Sequence, residues 1–327
     1  MSQSAPQSMA KGKKAWLIPV LCLIAGGGLI GISTNLAKFA GEVGLTPLAF
    51  LFWSITGAAF ILFSYALLRR ELPPLSKSTL SYYLVAALVS VAGSNLIFFS
   101  AIPHVGASFV ALIISLPPLL TYLAAIILRI ERFTKLRALG VVAALVGAGV
   151  LAARKFAAPD ASVFWIGLAL CGPVLLAIGN IYRTLYWPDN LSPSALAPGM
   201  LIAASVLLGL FSILPNYSLA VPLAEMLPLG LIAVQAFVFA GQFLLLFLLQ
   251  KTGGPVLLSL LGSVGAVVGV PVAIFLQGES PPEGLFLGAS LIALGVVLVT
   301  YLWRGKNGGI KPADSIKGGL AAKRGKK

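Results

Sequence analysis

Two stretches decide the fold: 106-GASFVALIISLPPLLTYLAAIILRIERFTKLRALGVVAALVGAGV-150 and 254-GPVLLSLLGSVGAVVGVPVAIFLQGESPPEGLFLGASLIALGVVL-298. Laid over each other without a gap, at an offset of 148, they pair Ser115 with Ser263, Glu131 with Glu279, Leu139-Gly140 with Leu287-Gly288, and Gly147 with Gly295. Upstream the echo continues at a slightly smaller offset. Asn35 and Lys38 match Asn180 and Arg183, and Leu45-Thr46-Pro47 with Ala49 matches Leu191-Ser192-Pro193 with Ala195. The chain is therefore two copies of one unit, the feature that governs every later reading of a repeat protein.

The unit belongs in lipid. With 59% hydrophobic residues, 10% charged residues and a mean hydropathy of +1.00, the chain cannot form an ordinary soluble surface. A hydrocarbon layer of about 30 Å needs about 20 apolar residues per helix. Ten such segments fall near 16–40, 47–69, 80–102, 107–128, 136–153, 163–186, 196–214, 226–249, 255–276 and 284–303. Continuous apolar runs, rather than short alternating ones, exclude a β-barrel. Five helices per copy is an odd number, so the second copy enters the membrane upside down relative to the first. The expectation is an all-α membrane protein with ten transmembrane helices arranged as two inverted five-helix repeats. Repeat 1 is expected over 16–155 and repeat 2 over 160–303. A disordered cytoplasmic N-terminus at 1–15 and a basic cytoplasmic tail at 304–327 flank them.

Charge supports this orientation independently. With the N-terminus inside, 20 of the 23 Lys and Arg residues fall on the cytoplasmic side, leaving Lys38, Arg154 and Lys155 outside. The net charge of +14 thus orients the chain and meets anionic lipid, with no need for nucleic acid as a partner. Lys11 to Lys14 followed by Trp16 to Ile24 has the outline of a secretory signal. However, residues 26–38 have a counterpart in span 6, and removal would leave an unpaired nine-helix protein. Cys22 and Cys171 lie inside spans and count as small apolar residues rather than a disulfide or metal pair.

Span 4 with Pro117-Pro118, Glu131 at its end, and Leu139-Gly140 and Gly147 in span 5, repeated as Glu279, Leu287-Gly288 and Gly295, resembles the EamA-like unit of the drug/metabolite transporter superfamily. The resemblance covers nearly everything but the tails. It implies a ten-helix carrier of small organic molecules, commonly a bacterial inner-membrane exporter, and overall similarity points toward the YddG-type aromatic amino acid exporter branch. The second copy departs from the first where Gly265-Ala266 replaces Pro117-Pro118, with a proline only at Pro271.

Inverted repeats place a substrate near the bilayer midplane, between the copies and beside helices broken by Gly or Pro. Gly26-Gly27-Gly28 in span 1 and Gly172-Pro173 in span 6 can bend at matching depth. Pro117-Pro118 removes donors and frees the carbonyls of Ile113 and Ile114, while span 9 carries Gly262, Gly265, Gly269 and Pro271. Gly28, Pro117, Pro118, Pro173, Gly265 and Pro271 are the expected hinges. The competing role for each is tight packing. Among polar groups, Gln235, Phe239 and Gln242 recur at i, i+4 and i+7 on one face of span 8. Asn95 occupies the place matching Gln242, and Asn35 and Asn180 are equivalents near opposite mouths. These amides, together with Ser115 and Ser263, are the expected lining of a wet cavity. Their competing role is interhelical glue, about 0.6 kcal/mol each. Trp16, Trp187 and Trp303 mark interfaces. Trp53, Tyr82 and Phe98 are the aromatics expected to stack on a flat substrate, and His104 is expected to be an ordinary loop histidine.

All nine acidic residues fall at span ends, in loops or in tails. A carrier of hydrophobic cations needs a buried acid to pair with its cargo, so the absence favours neutral or zwitterionic solutes. Lys38 and Arg183, symmetric near opposite mouths, either guide anions or complement helix dipoles. One histidine, no HExxH, no phosphate loop and no Cys/His cluster give no metal, cofactor or catalytic group, and the chain does not look like an enzyme. Selectivity-filter signals are missing as well. The expected function is export of small amino acids or related metabolites, aromatic ones foremost, by alternating access in a monomer or homodimer. Export of other neutral drugs or metabolites, or a non-transporting scaffold or sensor, are the alternatives.

Overall fold

The computed structural model describes residues 6–127, 133–156, 162–215, 217–222, 225–281 and 283–306, and among these every regular element is helical. In chain order they are α1 (Pro6–Glu42), α2 (Pro47–Leu68) and α3 (Lys77–Ala87), which passes through a π-turn at Leu88–Ala92 into α4 (Gly93–Val105). Then follow α5 (Ala107–Ile113), α6 (Pro117–Ile127), α7 (Lys135–Phe156), α8 (Val163–Leu185), α9 (Pro193–Phe211) and α10 (Met226–Ser259). The last two are α11 (Leu261–Pro271), leading into a second π-turn at Val272–Leu276, and α12 (Leu285–Lys306). Seven stretches are long and apolar enough to cross a membrane, and three shorter apolar helices at Ala138–Leu151, Leu261–Leu276 and Leu285–Gly295 complete the ten spans. Glu131 and the tail from 307 onward lie outside the described residues.

Two boundaries differ from expectation. Helix α1 begins at Pro6, inside the segment expected to be solvated, and α10 stays helical to Ser259 instead of turning near residue 250. The fixed φ of Pro6 suits the first position of a helix, and α10 continues because each residue added to a nucleated helix gains a backbone hydrogen bond.

Glycines set how closely the spans approach. A Cβ on Gly147 of α7 would lie 2.7 Å from the Gly288 carbonyl oxygen and 2.9 Å from Leu291 Cβ, both on α12. A Cβ on Gly295 of α12 would strike the Gly140 carbonyl and come within 2.7 Å of Ala144 Cβ on α7. Since Gly140 and Gly147 are the repeat equivalents of Gly288 and Gly295, these are one contact and its mirror image, as a two-fold relation demands. The echoed Leu-Gly and Gly motifs are therefore the seam where the two copies press backbone to backbone. Helix α1 meets α11 in the same manner. A Cβ on Gly31 would sit 2.6 Å from the Gly265 carbonyl and 2.8 Å from the Gly269 nitrogen. Gly28 faces open space, with nothing within 4 Å of its would-be Cβ. Helix α1 runs unbroken through Gly26–Gly28, and α8 through Gly172-Pro173, so neither span is interrupted where a bend was expected.

The echoed Leu-Thr/Ser-Pro-x-Ala segments are helix starts. Thr46 Oγ1 accepts from the Ala49 N–H at 3.2 Å and Ser192 Oγ accepts from the Ala195 N–H at 3.2 Å, with Pro at the first helical position in each. Two carboxylates tie loops to such starts. Glu279 accepts from the Ala107 and Ser108 N–H groups at 2.9 and 2.8 Å, capping α5. This follows Gly106, which takes φ +89° where a side chain would also run into the Glu279 carboxylate. Glu71 accepts from Ser194 Oγ and from Ser192 Oγ (2.8 Å), and these hydroxyls hold its carboxyl below the usual carboxylate range.

Substituting Gly147→Val should lower stability by about 1–3 kcal/mol through overpacking, whereas Gly28→Ala should be neutral or stabilising by up to about 1 kcal/mol. Thermal unfolding of the purified protein in detergent compares the two. A depressed folded-state pKa contributes stability that is present above the unfolded value near 4.3 and lost as pH falls through the folded value. The thermal midpoint of the wild type should accordingly exceed that of Glu71→Gln above about pH 5, with the gap closing as pH falls below the unfolded value.

Candidate substrate cavity

Spans 4 and 9 cross at equivalent residues, Ile114-Ser115 against Gly262-Ser263. Ser263 Oγ approaches the Ser115 carbonyl at 3.4 Å, and a Cβ on Gly262 would collide with the Ile114 carbonyl. Span 4 is interrupted at this point. The Ser115 N–H and hydroxyl both turn back to the Leu112 carbonyl, the Leu116 N–H reaches the Ile113 carbonyl at 3.0 Å, and Pro117 opens α6. The break expected from Pro117-Pro118 is present. Of the two carbonyls expected to be freed, Ile113 keeps a donor through a tightened turn, and Ile114 is set against Gly262.

Beside this crossing lies a cavity of about 70 Å³ between α4, α6, α8, α10 and α11. Five of the expected site residues meet on its walls: Asn95, Phe98, Pro117, Asn180 and Gln242. They are joined by Ser90 and Arg183 and by the apolar Ile30, Ile114, Leu176, Phe243, Leu246, Leu258 and Leu261. No carboxylate is among the lining residues. Small residues on α8 make room for it. Gly172 accommodates the ring of Phe98, and Gly179 accommodates Ser90, which the π-turn at Leu88–Ala92 carries toward α8.

The amides divide into two groups. Asn35 Nδ2 donates to the Gly31 carbonyl (2.8 Å) and to the Gly269 carbonyl (3.0 Å), joining α1 to α11, and the fully buried Gln235 donates to Ser33 Oγ, joining α10 to α1. These two are the interhelical glue. Asn95 bonds only within its own helix, to the Val91 carbonyl at 2.8 Å, and Gln242 Oε1 is buried with no partner. Those two line the cavity and tie no helices together.

Other expected residues lie elsewhere. Trp53 is 43% exposed and donates its indole N–H to the Leu219 carbonyl at 2.9 Å. Tyr82 is buried and stacked on Tyr182. Phe239 is buried between Phe99 and Phe243, behind the wall. Ser115 and Ser263 belong to the crossing, Gly265 packs against Gly27 and Ile30 of α1, Gly28 faces outward, Pro118 follows Pro117 in the first turn of α6, and Pro173 is buried within α8. Pro271 ends α11 at the second π-turn. His104 stacks on Trp165 at 4.2 Å.

Arg183 is the functional candidate the sequence understated. Its place near the end of span 6 suggested a charge at the membrane surface, yet the side chain is 1% exposed and forms part of the cavity wall. The available signal was its three-residue spacing from Asn180, one helical turn on the same face. Nη2 of Arg183 donates to Asn180 Oδ1 at 2.8 Å, and Nε donates to Gln250 Oε1 at 3.2 Å.

Comparison with known proteins agrees with this architecture. The family model described as the EamA-like transporter family matches residues 17–153, so the first five spans form an EamA-like domain, consistent with the drug/metabolite transporter superfamily. The long apolar helices make the chain a multi-pass membrane protein, and the family matched over its first five spans is one of transporters. A solved structure described as "Crystal structure of protein" matches with a TM-score of 0.61 at 18% identity, covering 89% of this chain and 99% of that one, a likeness of fold alone. No curated protein matches the chain.

Because the ring of Phe98 fills the place of a Gly172 side chain, Gly172→Val should drive the ring into the cavity and cost about 1–3 kcal/mol. Pairing it with Phe98→Ala should recover part of that loss, which a double-mutant cycle on thermal stability measures.

Proposed function

We propose that this protein is a secondary transporter that exports small amino acids or related metabolites, aromatic amino acids foremost, by alternating access across a bacterial inner membrane, with both termini in the cytoplasm. The observation that carries the proposal is the acid-free cavity beside the crossing of the two copies, walled by the amides Asn95, Asn180 and Gln242 and by Phe98. Amides in an otherwise apolar span are retained where they meet water or a ligand, and Asn95 and Gln242 hold no neighbouring helix. Sites for small ligands usually measure about 300–1,000 Å³. At about 70 Å³ the cavity holds a few waters, so loading it calls for one copy to rock against the other.

The test uses the full-length protein in liposomes loaded with labelled phenylalanine, threonine or a lipophilic cation. Release of the amino acids but not the cation is expected; release of the cation alone overturns the cargo assignment, and no release of any solute supports a scaffold. Asn95→Leu and Gln242→Leu should each reduce phenylalanine flux about ten-fold, the loss of one good hydrogen bond, while thermal stability changes by no more than about 0.6 kcal/mol. Flux equal to wild type would remove these amides from the site.

A further inference from the structure

Arg183 is a buried cation without an anion. It lies on the last turn of α8, 1% exposed, and forms part of the cavity wall. Two of its nitrogens meet neutral amide oxygens, Nη2 that of Asn180 and Nε that of Gln250, while Nη1 is buried with no hydrogen-bond partner. No carboxylate lines the cavity. Among the described residues, the ionisable group in electrostatic contact with the guanidinium is the Tyr82 phenol, whose own hydroxyl is buried and unpartnered. A guanidinium remains charged throughout the physiological range, and neutral amides shield that charge without cancelling it. A lone charge in such surroundings is among the most expensive arrangements a membrane protein can hold, and where one persists it marks a functional site.

The side chain is also held in place. Gln250 Nε2 donates to Thr184 Oγ1 at 3.4 Å, and Thr184 Oγ1 donates to the Asn180 carbonyl at 2.7 Å, closing a ring of bonds around the base of the guanidinium. The fork is thereby fixed with two nitrogens engaged and the third left over. Groups preorganised in this way favour a ligand that brings the missing partner.

We propose that Arg183 Nη1 anchors the carboxylate of the transported solute, so that the cargo is an organic monocarboxylate with an apolar body. This rests on the transporter reading above and narrows it. A single cation with no second one on the walls balances a single negative charge; an inorganic phosphate dianion would leave one charge unmet. The remaining surface, Phe98, Phe243, Leu246 and Leu258, suits an aromatic or aliphatic body. Gln242 Oε1, an acceptor lacking a donor in the same cavity, is available to an ammonium group. An α-amino acid with an apolar side chain is thus met at both poles.

The experiment follows the thermal midpoint of the purified full-length protein in detergent against 3-phenylpropanoate, phenylalanine, phenethylamine and inorganic phosphate, for wild type, Arg183→Gln and Arg183→Lys. The first two ligands should raise the midpoint; the amine and phosphate should not. Apparent affinity for 3-phenylpropanoate should fall at least about thirty-fold in Arg183→Gln, as when one partner of a buried charge pair is removed. It should fall less in Arg183→Lys, which keeps the charge and loses the fork. Without ligand, Arg183→Gln should unfold no earlier than wild type, because it removes an uncompensated charge; should it fail to fold, Arg183→Lys carries the comparison. Carboxylate binding unchanged by Arg183→Gln, phenethylamine binding as tightly as 3-phenylpropanoate, or phosphate binding more tightly than either carboxylate overturns the assignment. Carboxylates that bind the wild type through Arg183 but never cross a liposome membrane leave the anchor standing and defeat the carrier reading. Phenylalanine flux indifferent to Arg183→Gln does the reverse.

Discussion

Lipid gives apolar helices no hydrophobic reason to associate, so what holds these ten spans together is close backbone approach at positions without side chains. Gly140, Gly147, Gly288 and Gly295 lock α7 to α12, Gly27 and Gly31 seat α1 against α11, and Gly262 admits the carbonyl of Ile114 where spans 4 and 9 cross. Dispersion between atoms in contact is lost steeply with a gap of even half an ångström, which is why these contacts tolerate no added methyl group. The cavity lies between α4, α6, α8, α10 and α11, beside the crossing at Gly262.

Much of the architecture was legible because it rests on pattern. The apolar runs and the paired helix starts at Thr46 and Ser192 are local in sequence and came out as helices, with α1 and α10 running past their expected bounds. The site was legible only in part. Gln235, Phe239 and Gln242 do share one face of a helix, but seven residues rise about 10 Å. Over that distance the face passes from a contact with α1 at Gln235 to the cavity at Gln242. Likewise a run of three glycines cannot reveal which of them turns toward a neighbour, and here Gly26 and Gly27 do while Gly28 does not. Arg183 was misplaced because a cation near the end of an apolar run marks a boundary in one dimension, whereas burial is decided by the helices around it. The π-turns at Leu88–Ala92 and Val272–Leu276 carry no residue signature at all.

The cavity also illustrates how a membrane protein distributes local rule-breaking. Asn35 and Gln235, deep among apolar neighbours, have each found partners on another helix, and they strengthen the fold. Asn35, Gln235, Gln242 and Arg183 each also retain one buried atom without a partner, and of the four only Gln242 and Arg183 line the cavity. Unpartnered buried atoms also lie away from the cavity, on Ser54, Tyr83 and Thr121 for example, but those of Ser90, Gln242 and Arg183 belong to its walls, where a ligand can relieve them. Stability elsewhere, at the seam and at the carboxylate caps of Glu71 and Glu279, offsets that cost.

The π-turn in span 3 has one further consequence. Its counterpart in the second copy, Gln235–Phe239, aligned through Asn95 and Gln242, is regular α-helix. Two identical halves would make the inward-facing and outward-facing shapes of a carrier equal in energy. Register defects at different places in the two halves, here and at Val272–Leu276, remove that degeneracy, and a difference of only 1.4 kcal/mol sets a ten-to-one preference. The two halves are therefore unequal in their own backbone, before any ion gradient or membrane voltage acts on them.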